Sequence, residues 1–191
     1  MAGPMNSSYW KKYNTNVISL DFIDDYAEVT INQTMSNGFS TSIYTSNEPS
    51  VDINHYYYVS YLVCPNFSNG IFSMEFAGGR NGDHFNTIIN EWTRVTGCGK
   101  GIRTGNGRLY IPNFIPNTYS VGDKAKVKNA IYIDLTAMFG IGNEPTRAEF
   151  EKLCAMNNVD LTAYHPIDSG TEQIWCIPDH NKDEYTTVEW N

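Results

Sequence analysis

Nowhere does the chain run through the ~18 consecutive apolar residues that a membrane-crossing helix takes, so a membrane is not an expected partner. Residues 1–8, from Met1 to Ser8, have neither the basic opening nor the apolar middle of a secretion signal, and the expectation is synthesis and retention in the cytoplasm. Cysteine is sparse: Cys64, Cys98, Cys154 and Cys176 form no C-x-x-C pair, and a reducing compartment keeps such thiols apart, so no disulfide is expected. The histidines, His55, His84, His165 and His180, show neither H-x-H nor i,i+4 spacing, which leaves no local set of transition-metal ligands. Positive charge is also short. Lys and Arg number 13 against 21 Asp and Glu, and a net charge of −8 repels a phosphate backbone, which argues against nucleic acid as a partner.

Nucleotide and hydrolase signatures are missing as well. Between Gly97 and Gly107 the glycines suggest a phosphate loop, but Gly101 follows Lys100 where a Walker sequence needs Ser or Thr, and Ile102 stands where a dinucleotide fingerprint needs its third glycine. That stretch is expected to be a long exposed loop. No Gly-x-Ser-x-Gly elbow occurs, and no spacing pairs a cysteine with a histidine, so a non-enzymatic protein is expected.

What the chain does have is aromatic and turn-forming residues. Tyr 13, Phe 9 and Trp 4 make 14% of its 191 residues, and Asn, Ser, Thr and Gly crowd the gaps between apolar runs, a mix that favours strands. Strands are predicted at Val17–Phe22, Tyr26–Gln33, Ser40–Tyr44, Tyr56–Cys64, Ile71–Phe76, Phe85–Ile89, Trp92–Thr96, Arg108–Phe114 and Val127–Asp134. Nine short strands separated by turn chemistry such as Asn69-Gly70 predict an all-β sandwich, with one or two short helices inserted late. Residues 1–15 are predicted as an N-terminal arm and 16–191 as a single domain ending in a tail, where Gln173–Ile177 and Thr186–Trp190 add edge strands or pack extended.

The carboxylates Asp21, Asp24, Asp25 and Glu28, and again Asp179, Asp183 and Glu184, are solvated turns or, alternatively, a structural calcium site; no other cofactor is expected. Lys124, Lys126 and Lys128 alternate onto one strand face, as a charged edge that discourages strand addition would.

The densest local pattern runs from Tyr132 to Phe150. Ile131, Ile133 and Leu135 alternate with Tyr132 and Asp134 as a strand, Thr136 is placed to cap a short turn that Gly140 ends, and Gly142, Asn143 and Glu144 lead to Pro145. Thr146 and Glu149 then stand in the S/T-x-x-E relation of a capping box, predicting a helix over 146–156 with Phe150, Leu153 and Cys154 on its apolar face. The segment Asp134, Leu135, Thr136, Phe139, Gly140, Gly142, Asn143, Glu144, Pro145, Thr146 resembles one that recurs in bacteriophage and prophage tail-region proteins with carbohydrate-binding-module-like jelly rolls. More loosely, so do Tyr56–Val63, Glu91–Arg94 and Arg108–Ile111. The resemblance implies a jelly-roll sandwich on a virion surface, made in the host bacterial cytoplasm, associating with other virion proteins or with itself as a homo-oligomer, and touching a bacterial surface glycan. It brings no catalytic residue. The alternatives are a free carbohydrate-binding module and a glycan hydrolase.

For a glycan, flat aromatic rings matter most. On Tyr56–Cys64, Tyr57, Val59, Tyr61 and Val63 should face the core and Tyr56, Tyr58 and Ser60 the outside, so the nominated carbohydrate contacts are Tyr56, Tyr58, Arg80, Trp92 and Arg103. Trp92 has a competing place in the core.

Overall fold

The computed structural model describes residues 7, 8, 10–36, 41–45, 50–76, 84–101, 105, 106, 108–161, 175–178 and 185–188. Apolar–polar alternation organises its strands: along β3 (Tyr26–Ile31), Ala27, Val29 and Ile31 are buried while Tyr26, Glu28 and Thr30 are half-buried. The other strands are β1 (Trp10–Lys12), β2 (Ile18–Ile23), β4 (Ile43–Thr45), β5 (Ser50–Val51), β6 (Tyr56–Pro65), β7 (Ile71–Phe76), β8 (Phe85–Asn86), β9 (Thr93–Lys100), β10 (Gly105–Asn106), β11 (Leu109–Phe114) and β12 (Lys124–Asp134). Helices α1 (Leu135–Phe139) and α2 (Arg147–Met156) follow, then β13 (Trp175–Pro178) and β14 (Tyr185–Val188).

A first sheet has the order β1-β4-β11-β7-β8 and a second β2-β3-β12-β6-β9, all pairs antiparallel; β5 pairs with β10, and β13 with β14. This is the expected jelly-roll β-sandwich. Its core interleaves Val59, Tyr61, Val63, Val95 and Val127 of the second sheet with Ile43, Phe72, Met74, Phe76 and Ile111 of the first. Each such side chain, fully buried, contributes roughly 1.5–3 kcal/mol. Tyr61, wholly buried, donates its hydroxyl to the Ser73 carbonyl at 2.7 Å, a hydrogen bond from one sheet to the other.

Two bulges decide which side chains face outward. On β11, Tyr110 pairs with Glu75 and Asn113 with Ser73, so three residues of β11 oppose two of β7, with Pro112, which lacks an N–H, between them. Residues three apart in a regular strand point to opposite faces; here Tyr110 and Asn113 share the outward one. On β12, Lys128 pairs with Leu62 and Ile131 with Ser60, the slip centring on Asn129 at φ 52°. The predicted alternation is thereby inverted: Ile131 and Ile133 turn outward, while Tyr132 points into the sandwich and stacks on Phe76 at 5.3 Å.

Those outward residues form a second core with the helices, comprising Tyr58, Ile131, Leu135, Phe150, Cys154 and Leu161. The capping box at Thr146 is present as predicted, with the Glu149 N–H on Thr146 Oγ1 at 3.4 Å and the Thr146 N–H on Glu149 Oε2 at 2.8 Å. The cap of α1 is a correction. Asp134 serves, accepting from the Ala137 N–H at 2.9 Å, whereas Thr136 lies inside the helix and ties it to β6 by accepting the Tyr56 N–H at 2.8 Å. Gly140 (φ 86°) and Gly142 (φ 84°) take the left-handed backbone that the turn requires.

Other expectations are corrected too. The first fifteen residues are not simply an arm, since Trp10 of β1 is 1% exposed in the core and β1 pairs with β4. Gly97 and Gly99 extend β9 instead of opening a loop; they pair with Val59 and Tyr57, whose side chains face the core. Lys124, Lys126 and Lys128 sit on β12, a central strand, and so guard no edge. β13 and β14 pair with each other as a hairpin.

Candidate functional site

The nominated contacts do not converge. Tyr58 points outward but is fully buried beneath α2, its ring 4.9 Å from Phe150 and its hydroxyl donated to Glu151 Oε1 at 3.0 Å; burial drives its pKa well up. Tyr56 is half-buried against the same second core. Trp92 is not in the core: it is 40% exposed at the far end of the sheet. From Tyr56 to Val63, whose partner Thr93 follows Trp92, the strand runs roughly 23 Å at ~3.3 Å per residue. Arg80 and Arg103 lie outside the described residues.

A different set of aromatics does come together, on the outward face of the first sheet. Register aligns Lys11, Tyr44, Tyr110 and Glu75 in one row across β1, β4, β11 and β7. Tyr110 lies 6.0 Å from Tyr44, and Tyr13, 48% exposed, meets Tyr110 edge-on at 5.4 Å. Arg108, two residues before Tyr110 and therefore on its face, rests its guanidinium 4.8 Å from the centre of the Tyr44 ring. Burial raises the Tyr110 pKa, and the nearby Glu75 charge adds to this while Arg108 opposes it. The hydroxyl therefore stays protonated and able to donate.

One step along the sheet is the pair Ser73–Asn113, placed there by the β11 bulge. Both are 1% exposed, and Ser73 Oγ and both polar side-chain atoms of Asn113 have no hydrogen-bond partner in the protein. An unsatisfied buried polar group costs about 1–3 kcal/mol, so a sequence optimised for stability alone would not keep three such atoms together. Glu75, 7% exposed, adds a carboxylate. The face thus combines one exposed ring, Tyr13, and two half-buried ones, Tyr44 and Tyr110, with buried donors and acceptors beside them.

The His55–Asp134 pair, at 2.7 Å, is positioned otherwise. Asp134 caps α1 with its second oxygen, and Thr136 donates to Glu144 Oε1 at 2.6 Å while Glu144 Oε2 accepts from the Gly142 N–H at 2.8 Å. These groups clasp the helical insert to β6. The same bonds account for the Asp134–Thr146 motif. The motif's Phe139 packs edge-on against Phe150 at 6.4 Å. Among the described residues no three His, Cys, Asp or Glu side chains gather as a metal site. Glu28 is held by Lys124 at 2.6 Å and Asp25 by Lys128 at 2.8 Å, and the second carboxylate cluster lies outside the described residues.

Sequence reasoning missed the tyrosine face because it is assembled from three distant strands. Tyr44 between the buried Ile43 and Thr45, and Tyr110 between the buried Leu109 and Ile111, were its available signals.

No protein-family model matches the sequence, and no curated protein does. Among solved structures, the CBM22-1 and GH10 modules of Clostridium thermocellum endo-1,4-β-D-xylanase 10B, complexed with xylohexaose, match at TM-score 0.50 and 13% identity, over 69% of this chain and 27% of that one. The N-terminal cellulose-binding domain of Cellulomonas fimi β-1,4-glucanase C matches at TM-score 0.46 and 13% identity, over 69% and 91%. The enzymatically active domain of bacteriophage CBA120 tailspike protein 4 matches at 0.40 and 15%, over 66% and 19%. At such identities the xylanase likeness is one of fold alone, and this chain spans about a quarter of that one: the chain is a jelly-roll β-sandwich like the matched part of the xylanase.

Proposed function

We propose that the chain binds carbohydrate through the tyrosine face of its first sheet, as a non-enzymatic surface module of a bacteriophage or prophage particle. The observation that carries the binding reading is the Tyr13–Tyr110–Tyr44 array standing beside Asn113 and Ser73, whose hydrogen-bonding capacity the protein leaves unused. Tyrosine rings stack on the apolar faces of sugar rings, and hydroxyls between them meet amide, hydroxyl and carboxylate groups that fix orientation. The outward strand residues of this face include one carboxylate, Glu75, whereas glycoside hydrolysis takes two across the scissile bond. The particle reading rests on the resemblance of the Asp134–Thr146 segment to phage tail-region proteins.

Contacts of this kind are individually weak, and many copies on one particle raise effective affinity by orders of magnitude when several engage together. The test is a glycan array probed with the chain displayed at high density, repeated with Tyr44→Ala and Tyr110→Ala. Hits that vanish with either substitution support the face; an array without hits, or hits indifferent to both changes, ends the reading. Detection of the chain in purified particles separates the virion role from that of a free module.

A further inference from the structure

The outward residues of the first sheet fall into two rows across its strands. One row is Lys11, Tyr44, Tyr110 and Glu75. In the next, the Tyr13 N–H donates to the Ser42 carbonyl at 3.1 Å, which carries the β1–β4 register onward and sets Tyr13 on the face of Lys11, while Asn113 pairs with Ser73 at the other end. Exposure falls from β1 to β7 along both rows: Lys11 and Tyr13 are exposed, Tyr44 and Tyr110 half-buried, Glu75 7% exposed, and Asn113 and Ser73 1%. Three strand spacings separate the two ends, ~14 Å at ~4.8 Å each. The strip is therefore open at β1 and blind at β7.

At the blind end lie Ser73 Oγ and the Asn113 amide, whose polar atoms have no hydrogen-bond partner in the protein. A glycan bound through an internal segment has to leave the strip at both ends, and burial at β7 gives it no way out. A chain terminus enters from β1 and stops. Its last ring also carries one hydroxyl more than an internal ring, at the position a further linkage would occupy, and buried polar groups select strongly for a ligand that pairs them. Side-chain rotation at the site, a common adjustment on binding, admits that ring. The terminus that a surface-anchored glycan leaves free is the non-reducing one. We infer, on the carbohydrate reading of this face, that it recognises the non-reducing terminus of a glycan, the last sugar reaching Asn113 and Ser73 and the preceding sugars crossing Tyr110 and Tyr44 toward Tyr13.

The test is an array of glucose, galactose, mannose and N-acetylglucosamine oligosaccharides, from mono- to hexasaccharide, printed through their reducing ends and probed with the full chain displayed at high density. Each is printed a second time with its terminal ring O-methylated. Among the hits, signal is expected to rise over the first few sugars and then level off, and methylation lowers it at least ~10-fold, as loss of a partner for buried polar groups does. Ser73→Ala, at the blind end, weakens every length alike, whereas Tyr13→Ala, at the open end, weakens the hexasaccharides more than the disaccharides. Circular dichroism verifies each variant's fold. Hits whose signal keeps climbing with length, that tolerate methylation, or that ignore Ser73→Ala overturn end-on binding and leave the carbohydrate reading standing; an array without hits overturns both.

Discussion

Both five-stranded sheets turn one side inward to a shared core, yet their outward sides are finished differently. The second sheet covers its outward apolar residues with a helical layer in which Tyr58, Ile131 and Phe150 pack and the Tyr58 hydroxyl is bonded. The first sheet keeps Ser73 and Asn113 buried with polar atoms unused, beside tyrosines that reach solvent. Among the described residues, the roofed side leaves a single polar atom, Ser60 Oγ, without a partner, whereas the first sheet gathers three at Ser73 and Asn113. Clusters of such destabilising groups accumulate where a protein meets a ligand.

Substitutions can break this contrast, and the largest effect belongs to the roofed side. Phe150→Ala removes the ring at the centre of the second core and should cost about 3–5 kcal/mol, read as an earlier midpoint in urea unfolding. On the tyrosine side, Tyr110→Ala should leave the midpoint almost in place yet lower glycan binding at least ~10-fold, which is about 1.4 kcal/mol. Asn113→Val sharpens the comparison further. Removing the unsatisfied amide should leave stability unchanged or raise it by up to about 1 kcal/mol while glycan retention falls; a loss of stability would mean that the amide serves the fold. Thr146→Ala, which deletes one half of the capping box, should cost on the order of 1 kcal/mol in the same unfolding assay.

The smallest expected effect is one of pH. Hydrogen bonding to Asp134 raises the His55 pKa above 6.5, outweighing the opposing effect of burial, with the charges of Asp134, Asp52 and Glu144 adding to the rise. The folded state therefore favours the protonated ring, and this stability is fully present below pH 6.5 and fades as pH climbs through the raised folded value. His55→Gln should flatten that part of the stability–pH curve; an unaltered slope would assign it to another group.

Local chemistry was legible in the sequence, and register was not. The capping box at Thr146, the glycine turn at Gly140 and the inward set Tyr57, Val59, Tyr61 and Val63 follow from spacing alone. Asn129 and Pro112 hide their consequence, since an inserted residue inverts alternation downstream without altering composition. Tyr58 was misjudged because periodicity tells which way a side chain points and says nothing of what lands on top of it. The tyrosine face was missed because β1, β4 and β11 meet only through pairing between distant segments.

The bond from the Tyr61 hydroxyl to the Ser73 carbonyl joins the two sheets at a point where the rest of the contact between them is apolar. Apolar contacts resist separation but are indifferent to small lateral slips, whereas a hydrogen bond weakens steeply when its angle or length departs from the optimum. This bond works as a pin against shear. A force that drew one layer past the other would load this bond first, and the group resisting it is a tyrosine hydroxyl buried between the layers.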